Sequence, residues 1–142
     1  MNANPTDRGR RIDPLSTAVG DLLQLLGRLG MSPGLLLSGI AKVEDPVRFK
    51  ACMVAAGIPL PVVALVVAIL IETIGGALIA IGYKTREVAG MLVVFTLLNG
   101  ALSHGDFADP AQSMQFWKDV AMAGGLLQLA ALGAGRWSVD FN

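Results

Sequence analysis

Residues 62–83 read VVALVVAILIETIGGALIAIGY, with a single charged residue, Glu72, standing eleventh of the 22. A helix of that length spans about 33 Å at 1.5 Å per residue, enough to cross roughly 30 Å of hydrocarbon. Its apolar residues lie all round the helix, without the polar stripe that a soluble bundle helix shows to water. The segment from 61 to 83 therefore reads as a membrane span.

Three further stretches are nearly free of charge: 22–41, broken only by Arg28, then 88–103 and 120–135. The last two are short, about 24 Å as helices, so their flanks must complete the crossing. Asp109-Pro110 reads as an N-cap followed by proline at the first helical position. That start predicts a helix from 110 to 134, with Phe116 and Trp117 near the interface and one over 86–104 before it. The first span, about 20–42, is expected to kink at Pro33, where Gly27, Gly30 and Gly34 also gather. Between spans one and two, Asp45-Pro46 again reads as a cap and first turn. Phe49, Cys52, Met53 and Ala56 then form an i, i+3, i+4, i+7 stripe closed by Gly57 and Pro59, as in a short helix over 46–56 lying on the membrane surface. The fold expected is all-α: an integral membrane bundle of four transmembrane helices with one interfacial helix, a single domain over 14–142 behind a flexible polar tail at 1–13.

Composition agrees with that patterning. Hydrophobic residues and glycine make up 92 of the 142 residues, or about 65%, against roughly 45–50% in a soluble domain. A soluble four-helix bundle would have to bury every face of the second span in protein, which about 140 residues do not provide. Charged residues are 15% of the chain, 11 of each sign, where about 25% is usual. Neither a basic nucleic-acid surface nor a long disordered chain fits. One cysteine, Cys52, excludes an intrachain disulfide framework and a Cys-x-x-Cys redox pair. A signal peptide is a poor fit, because Asp21, Gln24 and Arg28 interrupt any apolar core near the N-terminus.

Lysine and arginine set the expected orientation. Arg8, Arg10, Arg11, Lys84, Arg86 and Arg136 fall on the side of the termini, against Lys42, Arg48, Lys50 and Lys118 opposite. Both termini are thus expected in the cytoplasm, with Tyr83 and Trp137 at one interface and Phe107, Phe116 and Trp117 at the other.

The informative residues are the polar ones inside the spans. An ionised Glu72 near mid-bilayer is costly unless it is paired or faces a wet cavity. Its neighbours at spacing four, Ala64, Ala68, Gly76 and Ala80, form a small-residue stripe that turns it toward the bundle interior. Asp21, Arg28 and Lys42 recur at seven and fourteen residues, within about 40° of one face of an unbroken helix, and Ser38 shares the side of Lys42. His104, the only histidine, ends the third span in line with Thr96 and Gly100. Alone it does not define a metal site. Lys118 and Asp119 lie about two turns inside the fourth. Topology gathers Lys42, His104, Lys118 and Asp119 toward the side opposite the termini, above Glu72 and with Arg28 beneath. The expectation is a polar pocket open to that face, suited to a small polar ligand or a quinone head group. It offers no nucleophile and base pair, no phosphate-binding glycine loop and no metal cluster. Gly75-Gly76 and Gly124-Gly125, with Ala68 and Ala80, read as helix-packing positions.

The segments LLGRLGMSPGLLLSGIAKVEDP, GIPLP, IETIGGALIAIGYKTR, FWKDVAMAGGLL and GAGRWSVD, in this order across residues 22–140, resemble the DoxX family of small bacterial membrane proteins. Arg28, Gly39, Lys42, Pro59, Glu72, Gly75, Gly76, Gly82, Lys118 and Asp119 carry the resemblance, and Ser32-Pro33 departs from it. It implies four transmembrane helices and an association with sulfur, thiol or quinone redox systems. It supplies no catalytic residue. The expected role is a membrane subunit or accessory of an oxidoreductase complex in the bacterial inner membrane, with a soluble or membrane-bound oxidoreductase as partner. The alternatives are an oligomeric small-molecule permease or export helper and, less consistent with one cysteine and one histidine, a self-sufficient enzyme.

Overall fold

The computed structural model describes residues 14–104 and 107–140; the tail expected over 1–13 lies outside them. Among the described residues are five helices: α1 (Pro14–Glu44), α2 (Pro46–Ala55), α3 (Pro61–Ile81), α4 (Thr85–Ser103) and α5 (Pro110–Leu132). Both aspartates expected to cap do so. Asp45 accepts from the Arg48 amide at 3.1 Å and Asp109 from the Ala111 amide at 2.9 Å, with proline at the first helical position each time.

Helix α1 differs most from expectation. It begins six residues earlier, and it continues through Pro33 without a break. Pro33 is exposed. One residue before it, Ser32 donates its hydroxyl to the Arg28 carbonyl at 2.6 Å. Proline at 33 leaves the Leu29 carbonyl without its amide donor, and Leu29 lies on the exposed side of the helix.

Helix α1 lies along α3, and α4 along α5, with α3 bridging to α4. The buried line on α1 is Arg28, Ser32, Leu35, Gly39 and Lys42, and that on α3 is Leu65, Ala68, Glu72, Gly75, Gly76 and Ile79. Spacings alternating between three and four keep one seam inward. In lipid no hydrophobic drive holds helices together, so close packing at small residues must do it. Gly76 meets Leu35 and Leu36 of α1, while Gly75 meets Leu92 of α4. Leu35, Ile79, Leu92, Leu126 and Leu129 form the shared core. Helix α2 covers the start of α3, with Met53 buried on Leu65 and Ala68. Cys52, in the same expected stripe, is exposed.

Charge and grease are distributed opposite to a soluble protein. Arg28 is 1% exposed and Lys42 and Glu72 3%, while Leu23, Leu37, Met91 and Leu127 are 59–65% exposed. So large an outward apolar surface needs a covering. Helices α3 and α4 are long and apolar enough to cross a membrane by length and composition.

The end of the bundle nearest both described termini is closed by the residues after α5. Val139 and Asp140 donate their amides to Ile81 and Gly82 carbonyls at 3.1 and 2.7 Å. Gly82 has φ +72°, and a side chain there would strike the Arg28 guanidinium and Ser138, so the turn requires glycine. The Asp140 carboxylate accepts from the Lys84 and Thr85 amides that open α4. Burial raises the affinity of this carboxyl for a proton, but those donors and the Arg28 charge outweigh it and hold Asp140 below the ordinary aspartate range.

Candidate functional site

Glu72 is the twelfth of the 21 residues of α3, roughly 14–16 Å from either end at the helical rise. Helix α1 reaches it because Gly39 has no side chain: a Cβ there would stand 2.6 Å from Thr73 Oγ1 and 3.5 Å from Glu72 Cβ. One turn on, Lys42 extends its ammonium to both carboxylate oxygens, 2.9 Å to Oε1 and 2.8 Å to Oε2. Ser38 Oγ accepts from Lys42 Nζ at 3.0 Å and donates to Glu72 Oε1 at 3.1 Å. The three ammonium donors are thereby all used. The Phe49 ring of α2 stands 5.0 Å from Nζ, within cation–π range.

Beside this pair, α4 and α5 bring His104 and Asp119 together, Nε2 to Oδ2 3.9 Å. Gly100 makes room, since a Cβ there would be 3.0 Å from Asp119 Oδ2. That oxygen is buried without a hydrogen-bond partner, and the Lys42 charge also acts on the Asp119 carboxylate.

The structure thus gathers four of the six expected site residues, Lys42, Glu72, His104 and Asp119, and not the other two. Lys118 is exposed; it neighbours Asp119 in sequence, and 100° of helical rotation turns it outward. Arg28 shares the face of Lys42 but lies fourteen residues away, about 21 Å along the helix. It donates instead to the carbonyls of Ala80, at 3.1 Å, and Trp137, pinning the closing segment. The expected open pocket is a closed cluster, with the Lys42 and Glu72 side chains 3% and 4% exposed. The open spaces lie elsewhere. An apolar groove of about 540 Å³ runs between α1 and α5 along Leu23, Gly27, Met31, Gly125 and Leu129. A polar cleft of about 480 Å³ sits by Lys84, Arg86, Glu87 and Asp140.

Among the packing positions, Ala68, Gly75, Gly76 and Gly125 meet neighbours, the last against Met31. Gly124 does not, having open space around it, and Ala80 is half-buried and contributes its carbonyl. Two contributors escaped the sequence reading: Phe49, taken as part of an apolar stripe, and Asp140, whose only signal was its place in the closing GAGRWSVD segment.

Among the described residues no three His, Cys, Asp or Glu stand together as a metal site needs. The cluster can hold a proton, or hydrogen-bond a polar head group if α2 moves aside.

Comparison with known proteins finds relatives in the inner membrane. The chain is 35% identical to the inner membrane protein YqjF of Escherichia coli (strain K12) over 120 residues, 84% of this chain and 91% of that protein. It is 30% identical to the inner membrane protein YphA of the same organism over 129 residues, 87% and 91% of the two chains. No solved structure matches it. The DoxX family model matches residues 23–105, which span most of α1, all of α2, α3 and α4, and three of the four clustered polar residues, so that the chain belongs to the DoxX family.

Proposed function

We propose that the chain is an inner-membrane subunit or accessory of a thiol, sulfur or quinone-linked redox complex, crossing the bilayer four times through α1, α3, α4 and α5. Both termini lie in the cytoplasm, α2 lies at the opposite face, and the polar cluster around Glu72 is the working site. The chain is not an enzyme by itself. Support for the location comes from the two relatives, both named as inner membrane proteins, and from the outward apolar surface. The charge on α1 and α5 does not bar crossing, because Lys42 is paired with Glu72, Arg28 donates through its two terminal nitrogens to the Ala80 and Trp137 carbonyls while its Nε stays without a partner, and Lys118 can snorkel to the interface.

The observation that carries the functional reading is the buried Lys42–Glu72 pair. A buried ion pair adds little net stability, and well-packed apolar residues often serve a fold as well. In hydrocarbon each charge costs about 2.5–3.5 kcal/mol at a helix centre on insertion scales. A pair in that position is better explained by use than by folding. Its ammonium and carboxylate match the carbonyl and hydroxyl groups of a quinone head group, and the short helix α2, with Phe49 over Lys42, is the element that would admit it. Purification in mild detergent from native membranes tests this. A redox partner and bound quinone should be retained by the wild-type protein and lost from a folded Glu72→Gln variant.

One feature favours a second reading, an oligomeric permease or export helper. Gly20, Gly27 and Gly30 of α1 and Gly124 of α5 have open space around them, as a helix from a second copy would need. A strictly monomeric state in mild detergent, with no transport in vesicles, excludes it.

A further inference from the structure

Within the cluster, one cation stands among two carboxylates and an imidazole. Lys42 commits all three donors to Ser38 and Glu72. That leaves the Asp119 carboxylate, its Oδ2 buried and without a hydrogen-bond partner, beside His104 at 3.9 Å. With Lys42 and Glu72 both ionised the pair sums to zero. An ionised Asp119 beside a neutral imidazole would then leave one uncompensated negative charge inside the bundle, a costly arrangement in a low-dielectric interior. One proton removes it, on the imidazole to make an ion pair or on the carboxyl to make a neutral donor.

Among the described residues no other charged group answers for that proton. On α1 the groups facing the cluster are Lys42 and Ser38, on α3 Glu72, on α4 His104, and on α5 Asp119 with Lys118 turned outward. On α2, Arg48 and Lys50 are exposed, Arg48 lying 5.9 Å from the Phe49 ring.

We infer that His104 and Asp119 together form a proton-binding site, which holds one exchangeable proton beside the buried Lys42–Glu72 pair. His104 is the C-cap of α4 and 27% exposed at its side chain, against 16% for Asp119. The imidazole is therefore the outer station and the carboxyl the inner one, and a proton arriving from the α2 face reaches His104 first. The inference deepens the functional reading of the same cluster and rests on its placement within a membrane bundle; it does not depend on which partner or quinone is bound.

The chain carries its own probe, because its one histidine gives a single imidazole resonance. The experiment is a pH titration of that resonance by NMR in detergent micelles, with infrared difference spectra in the carboxylic acid region, on wild type, Asp119→Asn and His104→Gln. A proton held on the imidazole shows as a titration midpoint at least one pH unit lower in Asp119→Asn, a tenfold loss of proton affinity. A proton held on the carboxyl shows as a C=O band that Asp119→Asn removes and His104→Gln retains. Either result supports the site. A midpoint unmoved by Asp119→Asn, with no such band in wild type, overturns it. Should Asp119→Asn fail to fold, His104→Gln and the wild-type spectrum decide, since a lone Asp119 must then hold the proton itself and its band must be present. Loss of copurified partner or quinone would count against the redox reading and leave this result untouched.

Discussion

At Glu72, the difference between a paired and an unpaired buried charge has measurable size. Glu72→Gln leaves the Lys42 ammonium without its counter-ion and should destabilise the protein by about 3–5 kcal/mol, the usual cost of breaking a buried pair. Replacing both partners, Lys42→Met with Glu72→Leu, should restore most of that loss. Thermal unfolding of the purified protein in detergent compares the two. Asp140 behaves differently because it lies beyond α5, at the end of the bundle. Its carboxyl binds a proton less readily in the folded chain than in the unfolded one, so its contribution is complete above the ordinary aspartate value of about 3.9. That contribution is lost as pH falls through the lower folded value. The protection factor of the Thr85 amide, which donates to Asp140 at 2.6 Å, should fall on acidification once the intrinsic pH dependence of exchange is divided out, and Asp140→Asn should flatten that fall.

At the scale of helices, glycines separate contact from open space. Gly39→Val drives a branched side chain into Thr73 and the Cβ of Glu72, parting α1 from α3, and should cost about 1–3 kcal/mol or more by overpacking. Gly124→Ala meets nothing and should be neutral or slightly stabilising, by at most about 1 kcal/mol. Paired unfolding measurements check both. The helices themselves were legible, because charge-free runs and Asp-Pro starts mark their ends within about two residues, except at the start of α1. The inward direction of Glu72 was legible from the small residues at spacing four. Depth and rotation were harder to read. Arg28 and Lys42 share a face, yet helical rise separates them by about 21 Å, and periodicity specifies the face without the level. Lys118 and Asp119 are adjacent, so only one can point inward, and nothing local says which. The same rotation divides Gly124 from Gly125, whereas Gly75 and Gly76 are both used because α3 lies between α1 and α4.

For the molecule as a whole, an even number of crossings puts both termini on one side. Reporter fusions at each end should both read as cytoplasmic, and a reporter in the loop after Ser103 should read as periplasmic. A terminus on the opposite side would reduce the spans to an odd number. The closed state of the cluster was the least legible feature, since whether polar groups line a cavity or satisfy one another depends on ångström-scale approach. Here the missing side chain of Gly39 and the cover of Phe49 decide it. The functional claim turns on whether the buried pair serves more than the fold, and one quantity addresses that directly: the quinone retained per protein on purification from native membranes, compared between wild type and the Lys42→Met, Glu72→Leu double variant. The pair as a working site requires that wild type retain quinone and that the double variant, folded and as stable as expected, retain none; equal retention by both, or none by wild type, would contradict it.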